Sequence, residues 1–254
     1  MKRSFKKFLA LLFPIFLVLL HLPFVFAKSR TAAEVKIANV HLNTNVQVLN
    51  TEMANSSLYE FLQLENLGLS KEAYQYALKG YNYLLNTGKL ANDQTLTIVD
   101  FSLPSSAKRL FVIDLEHKKI LFNTYVAHGR NSGKEYANSF SNAPESNKSS
   151  LGFYITKGTY NGAHGFSLKL EGEEKGINDN ALSRAIVMHS ADYVNKNLIK
   201  SQGYIGRSLG CPAISKDVYR PIIQTIKDGS CLFIYGNATK YAYNSPVLRE
   251  ASTT

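Results

Sequence analysis

The sequence predicts a mostly β protein with a few helices, and three observations lead to this fold class. From residue 95 onward, short runs rich in β-branched and aromatic residues, such as 95–101 and 109–115, alternate with polar turns. Helical periodicity is confined to a stretch before residue 90 and a short one after residue 217. The 254 residues allow one domain of ordinary core size.

The helical stretch, assigned to 58–90, precedes the predicted strands. Apolar residues recur at helical spacing over 73–85, Ser70 is suited to cap the start of the helix, and Gly88 is suited to end it. A shorter amphipathic piece over 58–67 predicts the first arm of a helical hairpin.

The β-rich domain is assigned to 91–238, and 239–254 to a C-terminal tail. A polar loop is predicted over 129–150, and an apolar stripe over 218–226 predicts a helix before Gly229. Further strands are predicted over 120–127, 151–156, 166–170 and 231–235.

The N-terminus has the form of a secretory signal peptide, 1–27. Four basic residues precede a 13-residue apolar run that ends at Leu20, and Ala27 closes a small-residue cleavage site. The run is shorter than the roughly 20 residues of a membrane span, which favours cleavage over an uncleaved anchor. Residues 28–57, rich in Asn, Thr and Ser and without periodicity, are assigned to a linker.

Cleavage would leave 227 residues, and the formal charge would fall from +10 to +6 because four basic residues lie in the leader. A mildly basic exported domain suits the anionic cell wall or a membrane surface. No block of Lys and Arg with interleaved aromatic residues is present, which disfavours nucleic acid as a partner. We expect a protein of the periplasm or cell envelope, with no stable membrane insertion after cleavage.

The two cysteines of the chain have different settings. In an oxidising compartment a pair of cysteines normally forms a disulfide. Cys231, however, opens a buried-strand pattern in which cysteine acts as a small hydrophobe, whereas Cys211 lies in a Gly-rich turn near Arg207. We therefore predict that Cys211 is free and reactive and that Cys231 packs in the core, with a disulfide as the alternative.

Cys211 and His189 have the pattern of a nucleophile and its base. An apolar run ends on His189, and Cys211 follows within a turn that contains Gly206 and Gly210. A thiol needs an imidazole within hydrogen-bond reach to react near neutral pH, and the N–H groups of Gly210 and Cys211 can point at an oxyanion. The pattern predicts acyl transfer through a thioester, although an isolated Cys and His at this spacing also occur in proteins without catalytic function.

These residues carry a resemblance to a known family. His189-Ser190, with 18 positions between His189 and Ser208, and then Ser208-Leu209-Gly210-Cys211 resemble the signature of the YkuD-type L,D-transpeptidases. The resemblance covers roughly 58–236. Further strings resemble the murein L,D-transpeptidase branch of the family: Val126–Gly133, Phe140–Asn142, Ser149–Tyr154, His164–Gly165, Asn178–Ala181 and Arg184–Val187.

The resemblance implies a β-sandwich-like catalytic domain over 91–238 that acts on peptidoglycan stem peptides. Cys211 would attack the amide between the L-centre of the third stem residue and the terminal D-residue, and the acyl group would pass to a second stem amine. By the same match, His189 is the base, and Ser208 and Gly210 shape the oxyanion pocket. No metal or organic cofactor is implied, because thioester chemistry needs none.

Two residues depart from the wider family. Leu209 stands where many members have His before the Gly-Cys pair, and Ala213 stands where many have Asn or Arg. A polar support of the site is therefore missing, and His164 or Arg207 are the candidates to replace it. We expect the Leu209 side chain, beside the oxyanion turn, to pack against the protein.

Substrate contacts are assigned to five residues. The guanidinium groups of Arg184 and Arg207 suit the carboxylates of diaminopimelate and terminal D-alanine, with structural ion pairs as the alternative. His164 lies before a predicted strand and either lines the cleft or is a turn residue, and Ser190 and Leu209 adjoin the catalytic pair. No metal site is predicted, because no third ligand accompanies His189 at a suitable spacing.

Three functions remain open. The first is a transpeptidase that links third stem residues, and the second is an L,D-carboxypeptidase or endopeptidase that passes the same thioester to water. The third is a catalytically degenerate wall-binding protein, which the departures at Leu209 and Ala213 suggest.

Overall fold

The computed structural model describes residues 57–237 and 240–252. The predicted signal peptide and the predicted linker, except its last residue, lie outside these residues. Within the described part of the chain, no helix is long and apolar enough to cross a membrane.

Of the two predicted N-terminal helices, the longer lies where the sequence predicts it, whereas the helical part of the first, predicted over 58–67, ends at residue 61. A short helix over 57–61 is followed by turns and then by α1 (Lys71–Asn86). The side chain of Ser70 accepts a hydrogen bond from Ala73 N at 3.0 Å, which satisfies one of the free N–H groups at the helix start. Gly80 lies in the middle of α1 because the Phe153 ring packs where a β-carbon would stand. The apolar face of α1 thus contacts the sheet directly.

In the described part of the chain, nine strands form one mixed sheet with the order β3-β2-β1-β9-β5-β6-β7-β8-β4. Only two pairs in this sheet, β1–β9 and β7–β8, are parallel. The strands are β1 (Thr95–Asp100), β2 (Leu110–Asp114), β3 (Lys119–Thr124), β4 (Val126–Ala127), β5 (Gly152–Gly162), β6 (Gly165–Gly172), β7 (Val187–Ser190), β8 (Ala213–Ile214) and β9 (Cys231–Tyr235).

The single sheet replaces the two packed sheets that a β-sandwich would have. Its edge strands β3 and β4 are consecutive in the chain and are separated only by Tyr125, so the two edges meet and the sheet is nearly closed into a barrel. Closure of a sheet removes exposed strand edges. The predicted strand over 120–127 is therefore divided between the two edges of one sheet.

The remaining helices are α2 (Lys196–Gln202), α3 (Tyr219–Ile226), α4 (Tyr241–Asn244) and α5 (Pro246–Glu250). The predicted apolar stripe buries Ile222, Ile223 and Ile226 on one face of α3. α2 and the short strand β8 were not predicted, because neither segment carries a clear periodic pattern.

Residues of the predicted C-terminal tail pack into the core. Tyr241, Val247 and Leu248 are buried, and α5 contacts α1. The fully buried carboxylate of Glu174 accepts hydrogen bonds from Tyr241 Oη at 2.8 Å and from the Ser245 hydroxyl. Helices α4 and α5 are therefore attached to the rest of the molecule by both apolar packing and buried hydrogen bonds.

Candidate active site

The parallel pair β7–β8 brings the two predicted catalytic residues together. His189 lies in β7 and is paired with Ala213 of β8. Cys211 is two residues before Ala213, so the nucleophile turn enters the sheet beside the histidine. The apolar run before His189 forms β7 because Met188 is fully buried between neighbouring strands.

His189 is buried and its ring is held from two sides. Nδ1 lies 2.9 Å from the carbonyl oxygen of Ser190, and because a carbonyl can only accept, Nδ1 carries the proton of the neutral ring. Nε2 is then the basic atom. The ring of His164, from the turn between β5 and β6, stacks on the His189 ring with centroids 4.2 Å apart and planes inclined by 19°.

Burial lowers the pKa of His189, the hydrogen bond to Ser190 opposes this, and the charge of His164 lowers the pKa further. His189 is therefore kept in the neutral form that can accept a proton. His164, for which a turn position and a cleft position were both open, occupies a turn and also contacts the predicted base.

The thiol of Cys211 faces the backbone in this structure. Sγ accepts from Val187 N at 3.5 Å and lies 3.7 Å from the carbonyl oxygen of Ala185, to which it donates. Among the described residues, His189 is not a hydrogen-bond partner of this sulfur. Burial raises the pKa of Cys211, and the Val187 N–H and the charge of Arg184 oppose the rise. The resting pair is thus a neutral thiol beside a neutral imidazole.

The turn from Ser208 to Cys211 is fixed by the Ser208 hydroxyl. This hydroxyl donates to the carbonyl oxygen of Cys211 at 2.6 Å and accepts from Gly210 N at 3.0 Å. Gly210 has φ of +129°, a conformation that favours glycine. The N–H of Gly210 is therefore used within the turn, so the prediction that it points at the oxyanion is wrong. Cys211 N–H has no acceptor in the described part of the chain and is the donor that remains.

A buried pair that the sequence analysis missed supports this turn. The carbonyl oxygen of His128 accepts from Ser208 N at 2.9 Å, and Arg130 N donates to the carbonyl oxygen of Ser208 at 2.8 Å. His128 is fully buried, with Nδ1 2.8 Å from Nη2 of Arg109.

Arg109 has no exposed surface and donates to the carbonyl oxygens of Leu103 and Val126. Burial lowers its pKa to about 9. Burial and the charge of Arg109 lower the pKa of His128 to about 4, so the imidazole is neutral and donates from Nε2 to the carbonyl oxygen of Gly133. A sequence signal existed, since a single arginine starts an otherwise apolar strand.

The two arginines assigned to substrate carboxylates have different environments. Nη1 of Arg184 donates to the carbonyl oxygen of Ser141 and to the Ser150 hydroxyl, and Nη2 donates to the Ser146 hydroxyl and to the carbonyl oxygen of Lys148. Both of its amino groups are therefore occupied. Arg207 is exposed, and among the described residues its guanidinium donates from Nη1 alone, to the carbonyl oxygens of Arg130 and Gly133.

Leu209 does not pack against the protein as expected, because 62% of its surface is exposed. It lines a cavity of about 350 Å³ beside the nucleophile turn. The other residues that line the cavity are Pro144, Glu145, Asn147, Ser183, Arg184 and Ile186.

Ser190 is buried, and its carbonyl oxygen is the group that contacts His189.

Both cysteines are free thiols. Cys231 is fully buried in β9, as predicted for a packing residue, and burial raises its pKa. No group of three or more His, Cys, Asp or Glu residues that could hold a metal ion occurs within 57–237 and 240–252.

A histidine in β7 and a free cysteine in the turn that leads into the paired strand β8 define a candidate thiol-dependent site. Residues 65–235 match the family described as the L,D-transpeptidase catalytic domain, and the chain belongs to this family. Members act on peptidoglycan, which lies in the cell envelope. Among curated proteins, none matches the chain.

Solved structures give distant matches. An L,D-transpeptidase from Mycobacterium smegmatis is 13% identical over 56% of this chain and 59% of its own, with a TM-score of 0.35. The helical cell shape determining protein from Campylobacter jejuni is 16% identical over 70% and 62%, with a TM-score of 0.39. An L,D-transpeptidase from Enterococcus faecium is 10% identical over 56% and 50%, with a TM-score of 0.36. The chain thus spans less than two thirds of these proteins.

Proposed function

We propose that the protein is a peptidoglycan L,D-transpeptidase that acts through a Cys211 acyl-enzyme on stem tetrapeptides. The observation that carries this proposal is the pairing of His189 with Ala213, two residues from the free thiol of Cys211. Nδ1 of His189 is engaged by Ser190, which leaves Nε2 for proton transfer. Geometry of this kind suits a nucleophile and a base held by a third group.

The first half-reaction cleaves the substrate amide. The thiol leaves the carbonyl oxygen of Ala185 by side-chain rotation, Nε2 of His189 takes its proton, and the sulfur attacks the carbonyl carbon at the third stem residue. The oxyanion is stabilised by Cys211 N–H. The imidazolium then donates its proton to the departing nitrogen, which releases the D-amino acid and leaves a thioester on Cys211.

The second half-reaction reverses the roles. An amine of a second stem peptide attacks the thioester carbon and transfers a proton to Nε2 of His189, which passes it to the sulfur as the C–S bond breaks. Arg207, with unused N–H donors beside the turn, is the candidate contact for a substrate carboxylate, and exposed Leu209 is a candidate contact for the stem. Neither half-reaction requires a metal or organic cofactor.

The proposal includes an exported location. A signal peptide over 1–27 and a linker over 28–57 would deliver the helical segment 58–90 and the catalytic region 91–238 to the cell envelope. The formal charge of +6 after cleavage suits an anionic wall.

Incubation with a purified disaccharide tetrapeptide tests the reaction. We expect release of D-alanine, a dimer linked between third residues, and exchange of added D-amino acids into the fourth position, all absent in Cys211→Ala. Tripeptide as the sole product would establish the hydrolase. Unchanged substrate together with a reactive Cys211 would overturn the enzymatic proposal and support wall binding.

A further inference from the structure

Arg184 joins the long polar loop to the nucleophile turn. The four hydrogen bonds of its guanidinium all end on residues of one segment, 141–150. That segment continues to the turn, because the Ser149 hydroxyl donates to the carbonyl oxygen of Gly210 at 3.3 Å. Arg184 thus holds both neighbours of Ser149, namely Lys148 and Ser150.

The guanidinium also lies directly against the turn. A β-carbon built on Gly210 would stand 3.4 Å from Nη2 of Arg184 and 3.0 Å from the carbonyl oxygen of Lys148, which is one of the acceptors of Arg184. The guanidinium of Arg184 therefore lies close to Gly210, the residue immediately before Cys211 in the chain. A glycine at this position allows that close approach.

Arg184 forms no ion pair with an acidic residue of the described segments. In the described part of the chain, no Asp or Glu oxygen lies within 4.0 Å of its guanidinium. A partly buried cation without a counter-ion favours a negative charge formed nearby. Within the described residues, Tyr193 also interacts electrostatically with Cys211, and His189 lies in β7, which pairs with the strand that follows Cys211.

We propose that Arg184 is a positioning residue that fixes loop 141–150 against the nucleophile turn and supplies the positive charge that favours the Cys211 thiolate. This role replaces carboxylate binding, since both amino groups of Arg184 are already used by the loop. The inference deepens the proposed function and rests on Cys211 as the nucleophile, but it makes no assumption about the acyl acceptor.

Alkylation of Cys211 by iodoacetamide across a pH series, followed by intact mass, measures the effect of the Arg184 charge separately from that of its hydrogen bonds to loop 141–150. We expect Arg184→Gln to slow alkylation at pH 7 on the order of tenfold and to reach the wild-type rate at high pH. Arg184→Lys, which keeps the charge but cannot make four bonds, should keep the wild-type profile. Arg220→Gln, at an exposed arginine stacked on Phe166 and Tyr219, is the matched control and should change nothing.

Amide hydrogen exchange over 141–150 tests whether Arg184 holds this loop in place. Both Arg184 variants should exchange faster there than the wild type, and so should Ser150→Ala, which removes one acceptor and keeps the arginine. If Arg184→Gln does not fold, Ser150→Ala still tests whether the hydrogen bonds of Arg184 hold the loop. Identical alkylation profiles in the Gln and Lys variants would overturn the proposed effect of the Arg184 charge on Cys211. Unchanged exchange in Ser150→Ala would overturn the proposed positioning of loop 141–150. Because alkylation needs no peptidoglycan, either failure is distinct from failure of the transpeptidase reaction.

Discussion

The imidazole rings of His164 and His189 are stacked 4.2 Å apart, and they come from different parts of the sheet. His164 is exposed at the turn between β5 and β6, while His189 is buried in β7. One histidine therefore covers a face of the other and adds a positive charge beside it when protonated. His164 is thus one of the two candidates, with Arg207, for the polar support that Leu209 does not provide.

His164→Ala should raise the pKa of His189. The substitution removes a neighbouring charge and lets water reach the ring, and both changes favour the imidazolium. Because the base must be neutral, the acid limb of the kcat/KM profile should move to higher pH. NMR titration of the His189 ring is the direct measurement. His164→Phe keeps the stacked face without the charge and should give a smaller rise, and an unchanged titration in both variants would contradict this account.

Cys211 should be the single site of thiol labelling. Burial raises the pKa of Cys211, so little thiolate is present near neutral pH and labelling there should be slow. The labelling rate should keep rising with pH beyond the pKa of an ordinary free thiol. Cys211→Ala should remove the label, while Cys231 stays unlabelled in the folded protein because it is fully buried. Labelling that requires a reductant would show a disulfide and would reject the nucleophile assignment.

His189→Ala should lower the rate of acylation by about 10² to 10⁴, the usual span for a lost general base. The rate of D-alanine release from tetrapeptide is the measurement. His117→Ala is a suitable control, because this exposed histidine pairs with Asp114 at the β2–β3 turn, away from Cys211. Acylation at the wild-type rate in the His189 variant would assign the proton transfer to another group.

Leu209→Ala should leave stability within about 0.5 kcal/mol of the wild type, because most of its side chain is already exposed. If Leu209 contacts the stem peptide, the KM should rise while the fold is unchanged. Leu84→Ala, at a fully buried leucine in α1, is the matched comparison and should cost roughly 2 to 5 kcal/mol. A large loss of stability in Leu209→Ala, measured by urea unfolding, would be inconsistent with its exposure.

Stability should fall in mild acid because of His128. Its pKa is lowered from 6.5 to about 4 in the folded protein, so the unfolded chain binds a proton first as the pH falls. This contribution is present above pH 6.5 and is lost towards pH 4. It amounts to about 2 kcal/mol between pH 7 and pH 5.

Urea unfolding at these two pH values measures the loss. His128→Gln, which keeps an acceptor for Arg109 but does not titrate, should remove most of the difference between pH 7 and pH 5. His117→Gln, at an exposed site, should preserve the difference. An equal pH dependence in all three proteins would exclude His128 as its source.

Local patterns were sufficient for many elements of this protein. The capped helix α1, the β2–β3 hairpin, strands β1, β5, β6 and β9, and the apolar face of α3 all follow from periodicity and turn residues in the sequence. The placement of His189 at a strand end and of Cys211 in a glycine turn followed from the same patterns, as did the family resemblance.

The sequence by itself thus determined the longer helices and strands and the pair of residues, Cys211 and His189, proposed for the chemistry, but not α2, β8 or the two C-terminal helices. Only the tertiary structure decided that β1 pairs with β9 to give one nearly closed sheet, that Leu209 is exposed, that Gly210 N–H is used by Ser208, and that Arg184 binds loop 141–150. The physical reason is range. Helical and strand patterns arise between residues a few positions apart, whereas burial and hydrogen-bond partners depend on segments that are tens of residues apart in the chain and meet only when the sheet closes.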